Sequence, residues 1–173
     1  VSPRLCFGVF SGVMATIVST PGFNINVLSP VTLGNEFRVN TTTAGDQLVY
    51  YWSVRTVAVA PDGGFVQVWI DKNGLDGNKS GIFGQRFDAS GNKLGSEFRV
   101  NTTTAGDQDN VSMAMDASGN FIVLWDGPGD GGGKGVFGQR FLADGTRVGG
   151  QFLINTSTSG DQYYPEVDYA ANG

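Results

Sequence analysis

The sequence predicts an all-β protein built from antiparallel, four-stranded repeat units. Three observations carry that prediction. The block Phe98-Arg99-Val100-Asn101-Thr102-Thr103-Thr104-Ala105-Gly106-Asp107-Gln108 repeats Phe37 to Gln47 letter for letter, and Phe152 to Gln162 is a looser third copy. A second block, Ile82-Phe83-Gly84-Gln85-Arg86-Phe87, returns as Val136-Phe137-Gly138-Gln139-Arg140-Phe141. No stretch shows helical periodicity bounded by helix signals. A fixed period of this kind marks a repeat architecture, in which each unit buries its apolar surface against its neighbours.

The matched Asn40, Asn101 and Asn155 set the period at 61 and 54 residues (101 − 40 and 155 − 101). The difference is local: five extra residues fall between Gln47 and Trp69, and two between Trp69 and Phe83. Residues 1–40 are read as an incomplete first repeat, 41–101 as repeat one, 102–155 as repeat two and 156–173 as the start of another. In repeat two, Val111 to Asp116 reads as a first strand, closed by the turn Asp116-Ala117-Ser118-Gly119-Asn120. Phe121-Ile122-Val123-Leu124-Trp125 is a continuous apolar run, the pattern of a strand covered on both faces. Val136 to Leu142 is the third strand, Ala143-Asp144-Gly145-Thr146 the next turn, and Gln151 to Asn155 the fourth strand. Repeat one follows with 56–60, 65–70, 82–88 and 97–101, and its turn Pro61-Asp62-Gly63-Gly64 argues for hairpins inside the unit. Asn24 to Asn40 aligns with the third and fourth strands of a unit. The apolar segment 5–18 is too short to span a bilayer and reads as a strand or as a signal-like core.

Four short antiparallel strands with a buried central strand fit a β-propeller-like blade. The alternative is a β-solenoid or stacked-sheet fibre. An unpaired edge at either end of such an array invites pairing with copies of itself or with further repeats, as a ring or an open filament.

Composition narrows the function classes. The 173 residues include 27 Gly, and apolar residues make up 40%, which fits an ordered, turn-rich protein. A net charge of −5 leaves no basic stripe to neutralise phosphates, so nucleic acid is not an expected partner. The absence of His removes the commonest general base and metal ligand. The single Cys6 forms no intrachain disulfide and no zinc cluster. Repeated acids at turns do not define a glycosidase carboxylate pair, and the chain is expected not to be an enzyme.

Two groups of residues remain as candidate sites. In an up-and-down unit, the loop between the second and third strands lies on the same side as the linker to the next unit. That side gathers Asp71, Asn73, Asp76 and Asn78 with Asp126 and Asp130, hard oxygen donors in glycine-rich loops of the type calcium takes. Asp and Asn at such places also serve as turn formers. Tyr50, Tyr51 and Trp52 interrupt the repeat and form the candidate aromatic patch for a surface glycan or a protein partner.

The Gly-x-Phe-Gly-Gln-Arg-Phe, Glu-Phe-Arg-Val-Asn-Thr and Gly-Asp-Gln motifs resemble those of large secreted bacterial proteins with tandem blade-like units. Those units follow the form DGxFVVVW…DG…GIxxQRFDxxGxxxGxEFxVNT and often accompany adhesion or haemolysin-type calcium-binding modules. The resemblance covers 24–173. It implies a secreted or cell-surface, non-catalytic structural or adhesive module. A calcium-dependent or carbohydrate-binding propeller domain is the alternative, and a glycosidase-like propeller fragment ranks below both.

Overall fold

The computed structural model describes residues 36–50, 53 and 55–170. Arg38–Gly173 form one compact unit; Val1–Phe37 form another, of which residues 36 and 37 are described. The expectations for the segment 5–18, for Cys6 and for the strand region of 24–35 lie outside the described residues, as do Tyr51 and Trp52.

The described residues form nine strands and no helix: β1 (Gln47–Leu48), β2 (Val57–Val59), β3 (Phe65–Asp71), β4 (Gly81–Phe87), β5 (Lys93–Arg99), β6 (Asp109–Met115), β7 (Phe121–Pro128), β8 (Lys134–Phe141) and β9 (Arg147–Leu153). They build two open antiparallel sheets, β1-β3-β4-β5 with β2 also on β3, and β6-β7-β8-β9. Neither sheet closes into a barrel. No helix among the described residues is long and apolar enough to cross a membrane.

The hairpins close as their turn residues require. Asp116 Oδ1 accepts the backbone N–H groups of Ser118 and Asn120, both at 2.8 Å, and Asp88 does the same for Ser90 and Asn92. Gly119 takes a φ of 80° in its turn, where a Cβ is disfavoured. The fourth strands begin earlier than the apolar pattern suggests, at Lys93 and Arg147, and end at Arg99 and Leu153. Each carries a register shift opposite the pairs Gly84/Arg86 and Gly138/Arg140, the kink of a β-bulge.

The insertion in repeat one has a definite place. β1 and β2 lie against one edge of β3, pairing Leu48 with Ile70 and Val57 with Gln67. In repeat two the same edge is taken by the single strand β6, with a bulge between Asp109 and Ser112. The extra residues therefore split the first strand in two without disturbing the rest of the sheet.

Strand alternation decides which side chains meet between the sheets. Val66, Val68, Ile70, Ile82 and Val100 from the first sheet pack on Val111, Met113, Phe121, Val123, Trp125, Phe137 and Phe141 from the second. The ring of Phe98 tilts against Phe121 and Phe141 at 6.2 and 5.5 Å. Gly84 makes room for it, since a Cβ there would stand 2.8 Å from Phe98. Successive first strands are neighbours: Met113 N–H donates to the Arg55 carbonyl at 2.8 Å, and Val167 N–H to Ser112 Oγ at 3.3 Å. Residues 163–169 thus lie beside β6, and Tyr164 shares a positive φ with its counterpart Asn110 (57° and 49°).

Candidate functional site: the joint between repeats

The duplicated block forms a hydrogen-bonded latch three times over. Asn40, Asn101 and Asn155 each donate through Nδ2 to the Oε1 of Gln47, Gln108 and Gln162, at 2.7, 3.1 and 2.9 Å. Each Gln returns its Nε2 to a linker carbonyl, that of Ala44, Ala105 or Ser159. The Asn Oδ1 also ends the fourth strand's pairing, accepting Ile82 N–H at 2.8 Å from Asn101 and Val136 N–H at 2.7 Å from Asn155. An Asn–Gln pair closes this ring because each amide offers a donor and an acceptor. Asn101 and Gln108 are buried, so these bonds form away from competing water.

A second set of contacts stitches each sheet to the linker before it. Glu97 on β5 accepts Thr42 N–H and, through its other oxygen, the Thr42 hydroxyl at 3.0 Å; Thr41 N–H is a further donor. One repeat later Gln151 on β9 accepts the N–H groups of Thr102 and Thr103 at 2.9 and 3.2 Å. Arg147 brackets the same place: its guanidinium donates to the carbonyls of Arg99 and Val100 and to Gln139 Oε1. Its counterpart Lys93 makes one such contact, to Thr41 Oγ1 at 2.8 Å. Burial first, then the nearby charge of Arg99, lowers the Arg147 pKa from its ordinary value. Arg86, on the repeated Gln-Arg pair, donates to the Asp144 carbonyl of the second sheet.

At the linker side of the two sheets lies a charged network. Asp109 receives Lys72 Nζ at 2.6 Å and Lys134 Nζ at 3.2 Å, and Lys134 also bonds Asp126 at 3.1 Å. Asp126 is fully buried and accepts Asn110 Nδ2 at 2.5 Å. Burial works against the charge of both lysines. The carboxylates outweigh it, Asp109 for Lys72 and Asp126 with Asp109 for Lys134, so both pKa values are raised.

The predicted meeting of loops and linkers is present, and direct hydrogen bonds fill it. Asn73 Nδ2 donates to the Asp46 carbonyl at 3.0 Å, Gly106 N–H to Asn78 Oδ1 at 3.3 Å, and Lys134 N–H to Asp161 Oδ1 at 2.8 Å. Asp71 is buried; desolvation raises its pKa, but the N–H of Leu75, the Gln47 amide and Asn73 outweigh it and leave the pKa lowered. Asp76 accepts Asn78 N–H and the Asn101 amide. Asp130 accepts the N–H groups of Gly132 and Gly133. Asp71 ends β3 and Asn73 follows it in the turn, Asp76 and Asn78 share the next turn, Asp126 lies within β7, and Asp130 sits in the loop after that strand. Among the described residues no group of three or more acidic, His or Cys side chains converges as a metal site. Of the aromatic candidates, Tyr50 is half-buried against the core, with Lys72 Nζ 5.5 Å from its ring.

Sequence reasoning missed Lys72, Lys134, Glu97 and Arg147. Glu97 and Gln151 fall at one repeat position and differ only in charge, and that alignment was the available signal. No protein-family model, no curated protein and no solved structure matches the chain.

Proposed function

We propose that this chain is a non-catalytic, extracellular structural or adhesive module whose four-stranded sheets are blades of a β-propeller-like array. One observation carries the reading: in the block duplicated without change, Asn101 and Gln108 bond each other across the linker, and Arg99, Val100, Thr102 and Thr103 are held through their backbone groups by Arg147 and Gln151 of the next sheet. A ligand-binding motif would leave some of those polar groups facing an open cleft. Adjacency of successive first strands supports an arrangement of sheets around an axis, as blades require. The resemblance of 24–173 to tandem units of secreted bacterial surface proteins supports the extracellular setting.

The test pairs denaturant unfolding with a glycan array, each run with and without chelator. A structural role predicts a single cooperative transition that chelator leaves in place, and no chelator-sensitive glycan binding. Chelator-sensitive sugar binding would replace this reading with that of a calcium-dependent carbohydrate-binding domain.

A further inference from the structure

We propose that the outward face of the second sheet, around Phe152 and Ile154, is a docking surface for a further sheet of this same repeat. The first strand of that sheet is the 163–169 segment. The inference rests on the structural reading above and adds the surface, its occupant and the contacts between them.

Register identifies the face. Ile122, Leu124, Val136, Phe152 and Ile154 hold the places in the second sheet that Val66, Val68, Ile82, Phe98 and Val100 hold in the first. In the first sheet the second one covers that set, and Val68, Ile82 and Val100 are fully buried. In the second sheet Phe152 is 36% and Ile154 42% exposed. Phe98 meets the stacked rings of Phe121 and Phe141, whereas Phe152 has the Arg140 guanidinium at 5.8 Å. Gly138 repeats the clearance of Gly84: a Cβ there would stand 3.1 Å from Phe152. The socket for an aromatic-fronted sheet is therefore built a second time.

Polar groups point to the same occupant. Thr41 and Thr42 give their N–H groups to Glu97, and Thr102 and Thr103 give theirs to Gln151. Thr156 and Ser157 stand at the same place in the third copy and are exposed. A third sheet would bring its own carboxylate or carboxamide there from the corresponding position of its fourth strand. The lead segment already lies beside the second sheet: Tyr164 N–H donates to the Asp126 carboxylate at 3.4 Å and Val167 N–H to Ser112 Oγ at 3.3 Å.

The experiment continues the chain from Ala170 with a second copy of residues 117–162 in place of 171–173, which supplies the remaining strands at high effective concentration. Amide exchange at Thr156 and Ser157 is then expected to slow by about tenfold or more relative to the parent chain. Phe152→Ser is expected to lower the melting temperature more in the extended chain than in the parent. Unchanged exchange at the two amides overturns the proposal, whether the added stretch folds or not. Self-association of the parent chain that Phe152→Ser abolishes would assign the face to a second copy instead, and overturns it too. The structural reading fails on a different result, chelator-sensitive glycan binding by the parent.

Discussion

Asn101 shows how much of the joint rests on one side chain. Its amide is fully buried and makes four contacts: Ile82 N–H, Asp76 Oδ2 at 2.8 Å, the Thr103 carbonyl at 2.9 Å and Gln108 Oε1. Asn101→Ala leaves a backbone donor and three acceptors without that amide, in a place water reaches poorly. A buried unsatisfied group costs about 1–3 kcal/mol, so a loss of about 3 kcal/mol is expected in urea unfolding. A variant within about 0.5 kcal/mol of wild type, the range of an ordinary surface change, would show that the latch contributes nothing to stability. The opposite experiment is available at Gln85. Its Oε1 is buried and has no hydrogen-bond partner, whereas the counterpart Gln139 receives Arg147 at 3.3 Å. Lys93 stands where Arg147 stands one repeat later. Lys93→Arg is expected to reach Gln85 and raise the unfolding free energy by about 1 kcal/mol; a loss or no change in the urea midpoint would count against the equivalence.

At the scale of elements, the sequence revealed strands wherever burial was two-sided. The apolar runs 65–70 and 121–125 predicted β3 and β7 because both faces of those strands are covered, and Trp69 and Trp125 are buried in them. Turn chemistry was equally plain, since Asp62, Asp88, Asp116 and Asp144 each cap their own hairpin. The starts of β5 and β9 were not visible. Lys93 to Ser96 is exposed, and Gly95 has a φ of 75°, so backbone pairing extends the strand where Leu94, itself exposed, sets no buried alternation. β1 is two residues long and carries no periodicity at all. For the candidate site, the sequence identified the oxygen atoms of Asp71, Asp76 and Asp126 but not their donors. Those donors are N–H groups two to four residues away, or the amides of Gln47, Asn101 and Asn110 and the amine of Lys134, which only the assembled sheets bring close.

For the whole molecule, the ionisable groups set where stability depends on pH. The chain has no His, and no other side chain has an ordinary pKa between about 5 and 8. Asp71 is lowered from 3.8 by its hydrogen bonds, and Asp88, Asp116 and Asp144 are lowered by their turns. A lowered carboxylate binds its proton more readily in the unfolded chain. Its contribution is therefore complete above the unfolded pKa and is lost as pH falls through the folded value. Lys72 and Lys134 are raised from 10.5 by Asp109 and Asp126 against the effect of burial. Their contribution is complete below that value and is lost as pH rises through the folded pKa. The melting temperature is thus expected to be level from about pH 5 to about pH 10, to fall below about pH 4, and to fall again above about pH 10.5. Lys134→Met should reduce the alkaline fall and lower the plateau, because Asp126 is then buried without its cation. A melting curve with a step near neutral pH would contradict this assignment, since the lowered carboxylates lose their contribution in acid and the raised lysines lose theirs in alkali.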